Sequence, residues 1–272
     1  MAMKPTKTTI IAYEKAPFVQ IRQTLQSERA YETHAHTTLS IGFMVEGETS
    51  FQTPSGAFLL QQGALAVIPP LMQHACNPLA HQARSYVMVY FEPAFCARLQ
   101  SHLFHQPTTE LLALKNPLIY HQELYEEFVT LIDALICGYE PLHVKALEQW
   151  LERFLWLYTQ NVLPTTPAPT LQSIAHFLTQ RLDETPSLQD LAKRFSYNPY
   201  VLLRHFKKAY GTTPKRYALQ LKIELAKKLL QEGMPASLCA HYCGFVDQSH
   251  FQRFFKRHTA LTPKEYHVNF VQ

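Results

Sequence analysis

No stretch of the 272-residue chain strings together the roughly eighteen apolar residues that suggest a membrane-spanning helix. The opening segment, MAMKPTKTTIIAYEK, lacks the long apolar core of a secretory leader. The cysteines, Cys76, Cys96, Cys137, Cys239 and Cys243, are odd in number and have no framework spacing. These absences argue against a membrane protein and a disulfide-stapled secreted one. They favour a reduced, cytoplasmic protein with no membrane partner. Low-complexity tracts are missing too, and nothing repeats except one pattern in the C-terminal part.

What is present supports two ordinary domains. Hydrophobic residues make up 47%, enough for buried cores. The net charge of +4 is divided unevenly. Residues 168–272 hold 15 Lys and Arg against 7 Asp and Glu, whereas residues 1–167 hold 10 against 14. Only the C-terminal part suits a polyanion.

The first hundred or so residues read as β-rich. Thr37–Glu46, Phe58–Ile68 and Arg84–Phe91 carry strand-forming residues, punctuated by Gly47, Pro54-Ser55-Gly56, Gly63 and Pro69-Pro70. Short strands with turns between them predict a sandwich or barrel over about 15–95. Residues 93–162 then show apolar spacings of three and four, which predict helices at 93–105, 121–137 and 142–162. In the last, Val144, Leu147, Leu151, Phe154, Leu155 and Tyr158 form one stripe. It packs on the β-domain or pairs two chains, and pairing into a homodimer is the expectation. Residues 163–170, LPTTPAPT, read as a semi-rigid linker between a domain at 1–162 and one at 171–272.

After the linker the chain reads as helices at 171–182, 188–194, 199–209, 214–231, 236–242, 247–258 and 263–270, with one module written twice. LQDLAKRFSYNPYVLLRHFKKAYGTTPKRY and SLCAHYCGFVDQSHFQRFFKRHTALTPKEY each give a short apolar helix, a turn, a basic helix and a Thr/Pro stop. These are two helix-turn-helix patterns joined by a linker helix at 214–231. Ser187 and Asn198 suit N-caps, with Pro199 in the first turn, and Asp247 caps the last basic helix. Gly244 suits a left-handed stop. Leu202 and Phe206 face inward, leaving Tyr200, Leu203, Arg204 and Lys207 outward. Arg204 suits guanine, and Lys207 and Lys208 suit phosphate. In the second module Gln248, His250, Gln252 and Arg253 lie outward or on the flanks, and Lys256 and Arg257 suit phosphate. Two basic helices in matched frames point to double-stranded DNA. Cys239 and Cys243 share a helix face without His241 and read as core residues.

The C-terminal part resembles the AraC/XylS family of transcriptional regulators over roughly 168–270. The likeness rests on AHYCGFVDQSHFQRFFK at 240–256 and on Thr262-Pro263-Lys-Glu-Tyr266. It implies base contacts from Tyr200, Leu203, Arg204, Gln248, His250, Gln252 and Arg253. Two places depart from the pattern. Ala260 stands where the family has glycine, which puts the local turn in question. His267 stands where it has arginine, which weakens one basic anchor.

The N-terminal part resembles a cupin-like effector-binding domain through ETHAH at 32–36 and through Gly63 to His74. Cupin enzymes hold metal with His residues and an acid. Ser40 and Ile41 occupy the acid's places here, so no metal, cofactor or catalytic residue is expected unless Glu32 substitutes. His34, His36 and His74 then either bond one another in the barrel wall or contact a small ligand. Phe18, Arg22, Tyr31, Phe43, Met44 and Tyr90 are candidate lining residues, of which Arg22 suits either a carboxylate or the surface. The candidate effector set is Arg22, His34, His36, Phe43, His74 and Tyr90.

The expected fold is therefore α+β in two domains. A cupin-like β-barrel with helices precedes an all-α domain carrying two helix-turn-helix motifs. The expected protein is a non-enzymatic, bacterial-type, dimeric DNA-binding regulator, an activator controlled by an unidentified small molecule. The rivals are a metal-dependent cupin enzyme fused to a DNA-binding module, and a regulator without a ligand.

Overall fold

The computed structural model describes residues 6–79, 82–105, 107–138, 140–160, 168–182 and 185–271. Most of the expected linker, up to Pro167, lies outside them. The strands are β1 (Lys7–Ala12), β2 (Val19–Ser27), β3 (Leu39–Glu46), β4 (Thr49–Thr53), β5 (Gly56–Leu60), β6 (Leu65–Ile68), β7 (Ala75–Pro78), β8 (Arg84–Phe91), β9 (Leu118–Ile119) and β10 (Phe270–Val271). Three helices follow the main strands: α1 (Pro93–Phe104), α2 (Gln122–Cys137) and α3 (Pro141–Tyr158). Seven more follow residue 167: α4 (Pro169–Gln180), α5 (Leu188–Arg194), α6 (Pro199–Tyr210), α7 (Pro214–Gln231), α8 (Ala236–Tyr242), α9 (Gln248–Thr259) and α10 (Pro263–Val268).

The expected barrel is two sheets rather than one closed ring. Seven strands run in the order β10-β1-β2-β8-β3-β6-β9, and three in the order β5-β4-β7. The run Phe58–Ile68, expected as one strand, divides between them. Gly63, at φ +85°, makes the sharp turn that carries the chain from β5 in one sheet to β6 in the other. The segments before β3 and β7 are tied where His34 and His74 exchange backbone hydrogen bonds of 2.9 and 2.8 Å.

Strand alternation separates two environments. Val87, Val89 and Phe91 of β8 join Ile21, Ile41 and the helices α2 and α3 in one core. Arg84, Tyr86, Met88 and Tyr90 point the other way, into a cavity. The stripe on α3 is covered within the chain: Val144, Leu147, Leu151, Phe154 and Leu155 are buried in the same core. Trp150 is fully buried beside them, and its Nε1 donates to Leu124 O at 2.9 Å. The stripe expected to pair two chains is therefore used internally, because α2 and the sheet together cover it. Leu142, Trp156 and Leu157 are the large apolar residues that α3 leaves exposed.

In the helical part, α5–α6 and α8–α9 form the two modules and α7 connects them. The last helix stops at Val268, short of the expected 270. Phe270 and Val271 instead pair in parallel with Ile10 and Ile11 of β1. Ile10 is buried in the core of the second module with Leu230, Phe255 and Tyr266. The β-part and the second module thus share both a sheet and a core.

Candidate functional site

Side-chain caps set the start of each basic helix. Ser187 and Asp190 form a capping box on α5. Asn198 Oδ1 accepts from Tyr200 N at 3.0 Å and Val201 N at 3.2 Å, with Pro199 in the first turn of α6. Asp247 Oδ1 accepts from His250 N at 2.6 Å at the start of α9. Leu202 and Phe206 on α6 are buried, as are Phe251 and Phe255 on α9. The opposite faces carry exposed Tyr200, Arg204, Lys207 and Lys208, and exposed Gln248, Gln252, Arg253 and Lys256. Two expected readers sit lower. Leu203 is half-buried, and so is His250, whose ring packs 5.5 Å from that of Phe245.

The connector α7 does more than space the modules. Lys222 is buried, and its Nζ donates to Thr185 Oγ1 at 2.8 Å and to Gly244 O at 2.7 Å. One ammonium thus joins the approach to α5 with the turn between α8 and α9. Cys239 and Cys243 are buried in the second module's core, as expected from their spacing.

A cavity opens where the two sheets meet α7 and α9. All six expected effector residues, Arg22, His34, His36, Phe43, His74 and Tyr90, line it, as do Tyr31 and Met44. Phe18 does not; it stacks on Phe95 at 4.0 Å in the helix-side core. Arg22 is not on the surface. It is buried, its Nη2 donates to Thr259 O at 2.9 Å, and its guanidinium lies 5.9 Å from the Tyr31 ring centre.

Four histidines converge at this place. The rings of His34 and His74 are 4.4 Å apart, those of His36 and His74 4.9 Å, and those of His34 and His258 6.3 Å. Each Nδ1 lies near a backbone carbonyl: His34 at Glu32 O (2.8 Å), His36 at Thr38 O (3.2 Å), His74 at Met72 O (2.9 Å) and His258 at Phe254 O (3.0 Å). A carbonyl only accepts, so those contacts put the proton on Nδ1. Burial, aided by neighbouring imidazoles, holds His34 and His36 well below the usual histidine range. Burial pushes His74 and His258 down to about 4.

The donor set does not fit a cupin metal. Ser40 bonds within the histidine group, its Oγ 3.4 Å from His36 Nε2, and it offers no carboxylate. Glu32 turns away to pair with Arg257 at 3.4 Å. Among the described residues, no three His, Cys, Asp or Glu side chains are arranged to hold a metal ion.

Residues 18–146 match the AraC-like ligand binding domain, and residues 191–268 match a helix-turn-helix domain. The chain belongs to the AraC family of transcriptional regulators. It is 26% identical over 225 residues to the HTH-type transcriptional regulator YbfI of Bacillus subtilis, covering 81% of each chain. It is 24% identical over 253 residues to LumQ, a probable transcriptional regulator of Photobacterium leiognathi, covering 93% of this chain and 97% of that one. Its fold is similar to that of ToxT from Vibrio cholerae, with a TM-score of 0.64 at 11% identity and 97% of each chain covered. Another ToxT structure, with an unsaturated fatty acid bound, gives a TM-score of 0.65 at 14% identity.

In this AraC-family chain, the sequence did not reveal what closes the cavity. Gln220, Glu224 and Lys227 of α7 and His258 and Thr259 of α9 stand in its wall. A DNA-binding half and a ligand-binding half therefore border one space. The seam is polar as well as apolar. Arg29 donates to Ala260 O at 2.7 Å and pairs with Glu265 at 2.9 Å, and Arg216 donates to Thr33 O. Arg84 and Tyr86 were also unassigned, although their alternation with Met88 and Tyr90 was legible in the strand.

Proposed function

We propose that this regulator is a sequence-specific activator controlled by a small molecule in the interdomain cavity. The observation that carries the reading is the shared wall. A ligand touching β2 and β8 also touches α7 and the end of α9, so it can bind unequally to two arrangements of the reading helices. A ligand indifferent to those arrangements would shift nothing. Base contacts come from Tyr200, Leu203, Arg204, Gln248, His250, Gln252 and Arg253, and phosphate contacts from Lys207, Lys208 and Lys256. The protein acts without catalysis: among the described residues, His34, His36, His74 and His258 have no ion-paired acid and no arrangement that holds a metal. It works as a homodimer in the cytoplasm, pairing through the exposed end of α3 around Trp156 and Leu157 rather than through the buried stripe. The boundaries that fit this division are 1–162 and 171–272, with 163–170 between them.

The test is selection of DNA sites by the full chain from a random pool, followed by footprinting with and without small-molecule extracts. Protection of two adjacent major-groove segments, altered by one extract fraction, is the expected result. Binding without sequence preference, or protection no fraction alters, overturns the reading.

A further inference from the structure

The cavity wall carries more unmet polar chemistry than the rest of the described interior. Among the described residues, nine buried side-chain nitrogen and oxygen atoms lack a hydrogen-bond partner. Seven belong to residues lining this one cavity: Arg22 Nε, Thr49 Oγ1, Arg84 Nε and Nη1, both amide atoms of Gln220, and His258 Nε2. Buried polar atoms are nearly always satisfied, so a cluster of exceptions marks where a partner is missing.

These atoms fall into two groups. Arg22, Gln220 and His258 gather where α7 and α9 close the cavity. Arg84 and Thr49 sit at the opposite end, beside the turn between β3 and β4. The register places Arg22 opposite Met88, four residues along β8 from Arg84. At about 3.3 Å per residue, the two backbones are separated by about 13 Å along the sheet. Tyr31 and Tyr86, joined hydroxyl to hydroxyl at 2.6 Å, lie between them, each under one guanidinium.

Charge points the same way. Arg22 and Arg84 are 7% and 1% exposed, and among the described residues neither has an acidic partner. Glu224 is the acidic residue in the wall, and it is paired with Lys227 at 2.8 Å. With the histidines neutral, the lining therefore keeps two uncompensated positive charges. Burying such charges is costly unless an anion meets them.

We propose that the cavity takes an elongated organic acid with a carboxylate at each end, one held by Arg84 and Thr49 and the other by Arg22 beside α9. This inference rests on the cavity being the effector site and adds its ligand class. The end at Arg22 meets the guanidinium that already donates to Thr259 O, so the acid bears directly on the last turn of the second reading helix.

The test measures thermal shift and calorimetric binding on the full chain. The probes are adipate, suberate and sebacate, set against hexanoate, octanoate and decanoate and against octanediol. One diacid is expected to bind about tenfold more tightly than the monoacid of its length, the effect of one further charge-assisted contact. Arg22→Gln and Arg84→Gln, which remove the charge and keep a polar side chain, should each erase that preference. Thr49→Val, a near-isosteric change at the far end, should weaken the diacid and spare the monoacid. A monoacid or diol binding as tightly as the diacid overturns the proposal, as does silence from all the acids. A neutral ligand that binds the cavity and alters DNA binding would sink the diacid while leaving ligand control intact. A diacid that binds as described but leaves DNA binding unchanged would do the reverse.

Discussion

Ala260 shows how one residue can depart from a pattern without breaking it. It caps α9 at φ +55°, the same left-handed region that Gly211 occupies at the end of α6, at φ +69°. The turn survives because Leu261 and Thr259 pack it from inside and Arg29 holds its carbonyl. An L-residue costs about 1 kcal/mol there, and that cost has no counterpart at Gly211. Ala260→Gly should therefore raise stability by about 1 kcal/mol, read as a higher urea midpoint with an unchanged slope. His267, the other departure, bonds Leu230 O through Nδ1 at 2.8 Å and so still ties α10 to α7. On the reading faces, Arg204→Ala and Arg253→Ala should each cost about 1–3 kcal/mol on the selected site and relax one base position. Lys208→Ala should weaken all DNA alike and lower the salt slope by about 1. Uniform loss from all three in a binding titration would remove Arg204 and Arg253 from the base readers.

At the scale of elements, the helices were the more legible half. Each basic helix announces itself by a cap, an apolar pair four apart and a stop, all within one short window. The strands were harder to see. β1, β2, β4 and β7 went unassigned, and β5 and β6 were merged, because sheet partners lie far apart in sequence and only their pairing decides which apolar run belongs where. The same limit applies to Lys222, which looks like one more basic residue on a basic helix. Its burial between two modules comes from packing alone. Lys222→Met should cost about 2 kcal/mol of stability, since Gly244 O and Thr185 lose a charged donor. It should also weaken binding to a two-segment site more than to a single segment. Equal losses on both DNAs would show that the ammonium does not set the spacing of the modules.

At the scale of the whole molecule, the seam between the two halves is expected to be its acid-sensitive part. His34, His36, His74 and His258 have folded-state pKa values below 6.5, the ordinary histidine value. The unfolded chain therefore takes up protons first as pH falls. Their stabilisation is complete above about pH 6.5 and is lost progressively down to about pH 4. The melting temperature should fall by several degrees between about pH 7 and about pH 5, and His74→Gln should flatten that fall. A profile that His74→Gln leaves unchanged would assign the acid sensitivity to other groups.

Local chemistry by itself determined the basic helices, their caps and the division of charge, and it marked His34, His36, Phe43, His74 and Tyr90 as candidates for the cavity wall. Each of these rests on periodicity, short spacing or motif likeness, which a linear chain displays. Tertiary structure alone decided that α3 spends its apolar stripe inside the chain, that β10 closes against β1, and that α7 and α9 wall the cavity. Those outcomes depend on which apolar and polar surfaces meet across long sequence separations. Arg22 is the clearest case. Its sequence neighbours leave it free to lie in solvent, and only the docking of Thr259 against β2 buries it without a counter-charge.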